Sequence, residues 1–79
     1  MEGKHQNQEI VIGGTYRHYK DKLYKVLHIA LHSEELKPYV VYQALYGDFG
    51  IWIRPMSMFL ETVNLNGLNV PRFELLTSS

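Results

Sequence analysis

The sequence has 79 residues, no cysteine, and eight basic against eight acidic residues. A chain of this length forms one domain that buries about 60–65% of its unfolded surface, and without a thiol it forms neither a disulfide nor a thiolate metal site. Because the net charge is zero and no apolar run approaches the roughly 20 residues of a membrane span, composition argues against a membrane protein and a purely electrostatic nucleic-acid binder.

The start of the chain is polar and shows no periodicity, so we expect residues 1–12 to form a flexible lead. Within it, residues 9–12 fit either a short edge strand or a simple lead-in. We expect no secretory signal, since MEGKHQNQEI contains no apolar stretch. Gly13 and Gly14 then separate this lead from the first clear strand.

Residues 15–19 are predicted to form that strand, with Tyr16 and His18 on one face and Arg17 and Tyr19 on the other. The polar residues 20–22 that follow fit a short hairpin connection.

The next segment, residues 23–32, fits two patterns. Its apolar residues follow the helical spacing i, i+3, i+4, i+7, i+8. A two-residue alternation also works, because Leu23, Leu27, Ile29 and Leu31 then share one face. Lys25 interrupts this alternation, so periodicity alone slightly favours a helix. Since the neighbouring segments are closely spaced strands and the link before it has hairpin length, we predict a strand.

Residues 40–55, VVYQALYGDFGIWIRP, are predicted to form the central hairpin. The first strand is apolar on both faces and rich in β-branched and aromatic residues, which favours a central position in a sheet. Gly47 and Gly50 supply the backbone freedom for a tight turn, and Pro55 ends the second strand because it has no N–H.

The second strand of this hairpin has two distinct faces. Ile51 and Ile53 share one face, and Trp52 and Arg54 share the other. We expect the isoleucines to lie in the core and the Trp52 and Arg54 face to point towards solvent or a ligand.

After Pro55 we predict one helical or 3₁₀ turn, a strand over residues 60–63, and a last extended piece over residues 68–73. Asn66 and Gly67 predict a type I′ turn between these strands. The pattern as a whole predicts an all-β fold, an SH3-like barrel of five to six short strands. We expect a single domain over residues 13–74 and a flexible tail over residues 75–79.

Three segments, GTYRHYKDKLYKVLHIALHSEE, VVYQALYGDFGIWIRPMSMFLE and VPRF, resemble a family of small bacterial domains of unknown function, family 1653. The likeness runs from residue 13 to residue 73. The resemblance implies a compact, β-rich, SH3-like domain. It implies no activity and no cofactor.

Neither a catalytic site nor a metal site is predicted. On a strand, His28 and His32 lie about 13 Å apart, too far to bind one zinc without a third element, whereas on a helix they would form half a site. The sequence contains neither a nucleophile elbow nor a glycine-rich phosphate loop. We therefore predict no catalytic residue, no metal and no cofactor.

The remaining polar and aromatic residues predict a ligand-binding surface. Arginine and aromatic side chains together can bind phosphates and stack bases, or bind a peptide through aromatic and cation–π contacts. A purely structural role stays open, in which Arg54 pairs with Asp48 and Trp52 caps a small core. The predicted ligand-binding residues are Arg17, His18, Tyr42, Tyr46, Asp48, Trp52 and Arg54.

From these observations we predict a cytoplasmic, monomeric, non-catalytic binding module with no membrane partner. Its partner would be a protein segment or a nucleic acid, and the neutral charge favours a protein or a small ligand over long duplex DNA. The alternative is an enzyme or sensor for a small metabolite that uses His18 and Asp48.

Overall fold

The structure is a computed structural model, and it describes residues 10–77. Within these residues the chain is mainly β, as predicted, but it has seven strands rather than the predicted five to six, and one short helix. The elements are β1 (Thr15–His18), β2 (Lys22–Leu31), β3 (Pro38–Ala44), β4 (Ile51–Pro55), α1 (Met56–Phe59), β5 (Thr62–Leu65), β6 (Leu68–Pro71) and β7 (Phe73–Thr77).

The strands form two antiparallel sheets. The larger sheet has five strands in the order β4-β3-β2-β1-β7, and β5 pairs with β6 in a separate hairpin. Within residues 10–77 no ladder joins β4 to β7, so the strand pairing leaves the larger sheet open. The β5–β6 hairpin turns at Asn66 and Gly67, whose φ values of 54° and 88° confirm the predicted type I′ turn.

Residues 23–32, whose sequence fits both a helix and a strand, lie almost entirely in strand β2. The strand prediction is therefore confirmed, and the helical alternative is wrong. β2 pairs with β1 on one side and β3 on the other, with a bulge between Val26 and His28. A bulge adds one residue to the strand and shifts its two-residue alternation beyond Val26. Leu23 and Ile29, which the predicted alternation placed on one face, therefore lie on opposite faces, and Val26 is the buried residue of β2.

The core is small and largely aromatic. Phe59, the only buried residue of α1, stacks on Phe73 with ring centroids 4.0 Å apart and planes 3° apart. Tyr16 and Tyr42 meet Phe59 edge to face at 5.4 and 5.5 Å. Fully burying one such side chain contributes about 1.5–3 kcal/mol. Because Phe59 contacts all three of these rings, the single helical turn that carries it supplies a large part of the core. The buried hydrophobic residues are Tyr16, Val26, Val40, Tyr42, Ala44, Phe59 and Phe73.

The prediction that Ile51 and Ile53 lie in the core is wrong. Their exposed fractions are 60% and 63%, and that of Trp52 is 58%. Trp52 pairs with Tyr42 and Arg54 pairs with Val40, so Trp52 and Arg54 lie on the core side of the sheet. Trp52 nevertheless stays exposed, because β4 is an edge strand that extends beyond the small core.

The ends of the domain also differ from the predicted boundaries. Ile10 packs against the core, and the Val11 N–H donates to the Tyr16 hydroxyl at 3.0 Å. At the other end, β7 pairs with β1 and continues to Thr77, beyond the boundary expected at residue 74. The rest of the predicted lead and tail, residues 1–9 and 78–79, lies outside the described residues.

Candidate ligand-binding surface

Five residues gather where the β1–β2 turn, the β3–β4 turn and β4 approach one another. His18 ends β1 and pairs with Lys22, the first residue of β2. Tyr24 follows on β2, opposite the end of β3, Tyr46 lies in the turn after β3, and Arg54 comes from β4. All five are half-buried or exposed. We call this group, His18, Lys22, Tyr24, Tyr46 and Arg54, the aromatic–cationic surface.

Tyr24 links this surface to the core. Its ring lies edge to face against Tyr42 at 5.3 Å, Tyr46 at 5.6 Å and Phe73 at 5.7 Å. Each such contact is worth about 0.5–1.5 kcal/mol beyond the area that it buries. The exposed ring of Tyr46 is therefore positioned by rings that are themselves fixed in the core.

The hydroxyls of Tyr24 and Tyr46 form a hydrogen bond 2.6 Å long, in which either oxygen can donate. Partial burial, followed by this hydrogen bond, raises the pKa of Tyr24 to about 12. Tyr24 is therefore neutral at neutral pH, and the pair keeps one O–H hydrogen that is not used between the two rings. The Lys22 Nζ lies 4.9 Å from the centroid of the Tyr46 ring.

His18 lies in a positively charged environment. Burial lowers its pKa most, and the charges of Arg54, Arg72 and Lys20 lower the pKa further. The Lys20 N–H donates to the Nδ1 of His18 at 3.1 Å, which assigns the remaining hydrogen of the neutral ring to Nε2. At neutral pH His18 thus presents a neutral N–H donor among cations.

Arg54 is the cation best placed to meet a ligand. Its Nε donates to the Tyr42 hydroxyl at 3.3 Å, and its guanidinium carbon lies 5.8 Å from the Phe73 ring centroid. Arg72, in contrast, is paired with Glu61 at 2.9 Å. Arg54 has no ion pair within residues 10–77, so the terminal nitrogens of a positioned guanidinium stay available for an anion.

The structure separates two of the predicted ligand-binding residues from this surface. Arg17 points to the opposite face of β1, where it pairs with Glu74 at 2.9 Å and lines a cavity of about 470 Å³. Asp48 is exposed in the β3–β4 turn, and within residues 10–77 it makes no hydrogen bond or ion pair.

The other predicted residues lie within the surface or next to it. His18, Tyr46 and Arg54 belong to it, and Tyr42 supports it from below with only 5% of its surface exposed. Trp52 lies further out, on the edge strand β4.

Two members of the surface, Lys22 and Tyr24, were not predicted from the sequence. Both belong to the first part of β2, before the bulge, where the alternation is regular. The signal that was available is the short connection at residues 20–22, since a tight hairpin there places Lys22 directly opposite His18.

The described residues show neither a metal cluster nor a membrane helix. No group of three or more His, Asp or Glu side chains converges between residues 10 and 77. Within the same range, the four-residue helix α1 is far too short to cross a bilayer.

Comparisons with known proteins agree with the resemblance seen in the sequence. A family model described as "Protein of unknown function (DUF1653)" matches residues 14–75. The crystal structure of a DUF1653 protein from Bordetella bronchiseptica is similar, with a TM-score of 0.76 and 33% sequence identity, over 85% of this chain and 88% of that chain. A comparison with curated proteins finds no match. The chain therefore belongs to the DUF1653 family.

Proposed function

We propose that this domain is a non-catalytic binding module that recognises a short single-stranded segment of nucleic acid through the aromatic–cationic surface. The observation that carries the proposal is the position of Arg54, a guanidinium without an ion pair in the described chain. It lies near the half-buried Tyr24 and beside His18, whose pKa is lowered first by burial and then by three cations. Such a surface favours a ligand with both an anionic and a planar group.

Each member of the surface has a role in this binding. The Arg54 guanidinium and the Lys22 ammonium meet phosphate oxygens. The exposed Tyr46 ring stacks on a base, a contact worth about 1–3 kcal/mol per base. The Nε2–H of His18 and the spare hydroxyl hydrogen of the tyrosine pair donate hydrogen bonds to the ligand.

The neutral net charge of the chain limits the size of the ligand. Only a few cations surround His18, so the surface has room for about two or three phosphates, and log Kd should rise with log salt with a slope of about 1.4–2. A long duplex would also meet the acidic residues elsewhere on the domain. This is why we propose a short single strand rather than double-stranded DNA.

The same surface offers a second partner class, a protein segment with an acidic or phosphorylated side chain, which Arg54 would bind in the same way. The cation excess with stacking rings favours the nucleic acid. The enzyme or sensor alternative needs His18 and Asp48 to face one ligand. Support for it is weaker, because no contact within residues 10–77 joins Asp48 to His18.

The proposal includes the predicted SH3-like arrangement and a cytoplasmic location. Support for the first comes from the short strands and the single helical turn that packs Phe59 beneath the sheet. Support for the second comes from the absence of cysteine in the sequence.

Fluorescence anisotropy with a labelled eight-nucleotide single strand, a duplex of the same sequence and a phosphorylated acidic peptide tests this proposal. Arg54→Gln should weaken single-strand binding at least about tenfold, which corresponds to about 1.4 kcal/mol. Arg17→Gln is the matched control, because Arg17 is paired with Glu74 on the other face. Its affinity should equal that of the unsubstituted protein.

Three results would contradict the proposal. The first is tighter binding of the peptide than of the single strand. The second is an equal loss of affinity in both arginine variants. The third is an absence of binding to any of the three probes.

A further inference from the structure

The outer edge of β4 is an apolar part of the described surface. β4 is the last strand of the larger sheet, and its consecutive residues Ile51, Trp52 and Ile53 are all more than half exposed. Sheet edges are normally protected from pairing by charges, bulges or covering segments. This edge has an apolar side chain on both faces and no charge before Arg54.

The backbone of this edge is also available for pairing. The Ala44 N–H donates to the Gly50 carbonyl at 2.9 Å, and antiparallel ladders alternate residues that bond to the neighbour with residues that do not. In the register of β3 and β4, Trp52 and Arg54 therefore bond inwards. The N–H and C=O groups of Ile51 and Ile53 point away from the sheet.

We propose that β4 pairs antiparallel with β4 of a second copy of this chain, so that the two five-stranded sheets become one continuous sheet. The twofold axis passes beside Trp52. Ile51 of each copy then lies opposite Ile53 of the other, and each pair exchanges both of its N–H···O bonds. The two Trp52 side chains face each other at the non-hydrogen-bonded position, where opposite side chains lie closest.

The sequence of β4 selects this register over its neighbours. An axis at Ile53 would place Pro55, which has no N–H, opposite Ile51 and remove a donor from the ladder. An axis at Ile51 would extend the pairing to Phe49, whose φ of 56° is not that of a strand. The axis at Trp52 uses the N–H and C=O groups of both Ile51 and Ile53 and places no charge opposite a like charge.

A second feature of the surface fits the same axis. Phe49, exposed in the β3–β4 turn just before β4, lies beside the end of the strand that approaches Pro55 of the other copy. Pro55 borders an apolar groove of about 490 Å³, large enough for a phenyl ring, whose other lining residues include Pro38, Met56 and Leu60. The twofold rotation therefore places the Phe49 ring of each copy near the apolar groove of the other copy.

The surface available is of the size needed for a modest dimer. With aromatic side chains presenting about 150–250 Å² each, the exposed parts of these residues amount to roughly 400 Å² per copy. Together with the groove, two copies approach the ~1,000 Å² of a specific interface. A second copy fits better than an unrelated strand, because the apolar Ile-Trp-Ile edge is complementary to itself under a twofold axis.

Sedimentation velocity of the full chain over about 10 μM to 1 mM, concentrations that populate even a weak dimer, tests the pairing. The expected mass rises with concentration from 9.2 kDa towards twice that value. Ile53→Lys should weaken the dimer at least about tenfold. Phe49→Asn leaves the β4 ladder unchanged, so it should weaken the dimer less. Asparagine is chosen because it tolerates the left-handed backbone at this position.

Leu68→Lys on β6 is the matched control, because Leu68 is 69% exposed, close to the 63% of Ile53, but lies outside β4. It should dimerise like the unsubstituted protein, and thermal unfolding checks that every variant is folded. A monomer at all concentrations would overturn the proposal. Equal weakening by Ile53→Lys and Leu68→Lys would overturn it as well.

Amide hydrogen exchange distinguishes strand pairing from other contacts. The Ile51 and Ile53 amides should become protected as concentration rises, while the Trp52 amide, bonded within the sheet, should not change. Protection that does not depend on concentration would mean that the same chain covers its own edge. Dimerisation without protection would mean that the two copies meet elsewhere. Either result overturns the proposal.

This inference does not depend on the proposed function. Ile53→Lys changes the edge and should leave nucleic-acid affinity per site unchanged. Arg54→Gln changes the aromatic–cationic surface and should leave the dimer intact. Failure of one proposal is therefore visible in a measurement that does not affect the other.

Discussion

Two groups of aromatic residues share the larger sheet, and they differ in what covers them. The inner group, Tyr16, Tyr42, Phe59 and Phe73, is closed in by the helical turn α1 and by its own stacking. The outer group, Tyr24, Tyr46 and Trp52, continues the same layer of rings beyond the reach of α1. The difference shows that in a domain of this size the position of one helical turn decides which rings belong to the core and which can meet a ligand.

The largest effect should come from deleting a ring of the inner group. Phe59→Ala removes the ring that stacks on Phe73 and contacts two tyrosines, so we expect a loss of about 3–5 kcal/mol in the free energy of unfolding. Urea denaturation measures this loss. For comparison, Phe49→Asn in the exposed turn should cost less than about 1 kcal/mol. Similar losses in the two variants would remove the distinction between the groups.

The sequence predicted where most strands lie, but it did not predict which side of each strand is covered. The Asn66 and Gly67 turn and the helical turn after Pro55 were predicted correctly because their signals are local, whereas β2 was predicted correctly only because its neighbours were predicted to be closely spaced strands. The positions of Ile51 and Ile53 were not, because alternation separates two faces without showing which one meets α1. That depends on strand order, a non-local property.

Only part of the candidate surface was predicted, because its assembly also depends on strand order. His18, Tyr46 and Arg54 were chosen for their residue types, and the fold brings them together. Tyr42 was also chosen, yet it is buried, because its partner strands place it above Phe59. Tyr24 was missed, although it alternates regularly with Val26, because residue type alone did not show that the pairing with β3 brings it beside Tyr42.

A smaller effect on stability should follow from Trp52→Ala in the outer group. The indole is more than half exposed, so at concentrations where the chain is monomeric we expect a loss of about 1 kcal/mol or less rather than the 3–5 kcal/mol of a core aromatic. As the chain has one tryptophan, its fluorescence reports this site alone. The emission of the folded monomer should be close to that of the unfolded chain. A strongly blue-shifted emission, or a large loss of stability, would place Trp52 in the inner group.

The smallest effect concerns the boundary between the two groups, where His18 contacts Phe73 edge to face at 4.9 Å. Burial and three nearby cations lower the pKa of His18 below its usual 6.5 in the folded state. Between the folded and unfolded pKa values the unfolded chain binds more protons, so stability must increase with pH in this range and level off above about 6.5. Acid weakens the fold here because protonation places a charge among cations and breaks the bond from the Lys20 N–H to Nδ1.

Urea denaturation at several pH values between about 5 and 8 measures this dependence, since the pKa of an unperturbed histidine is about 6.5. His18→Gln should remove the contribution of His18 to the slope, whereas His28→Gln should retain it, because His18 is still present. A phosphate bound beside Arg54 would offset the cations and raise the pKa of His18. In the presence of the single-stranded ligand, the NMR titration of the His18 ring should therefore move to higher pH. If the titration of His18 did not move while the ligand bound, the ligand would lie away from this boundary, and the aromatic–cationic surface would be structural support for the core rather than its binding site.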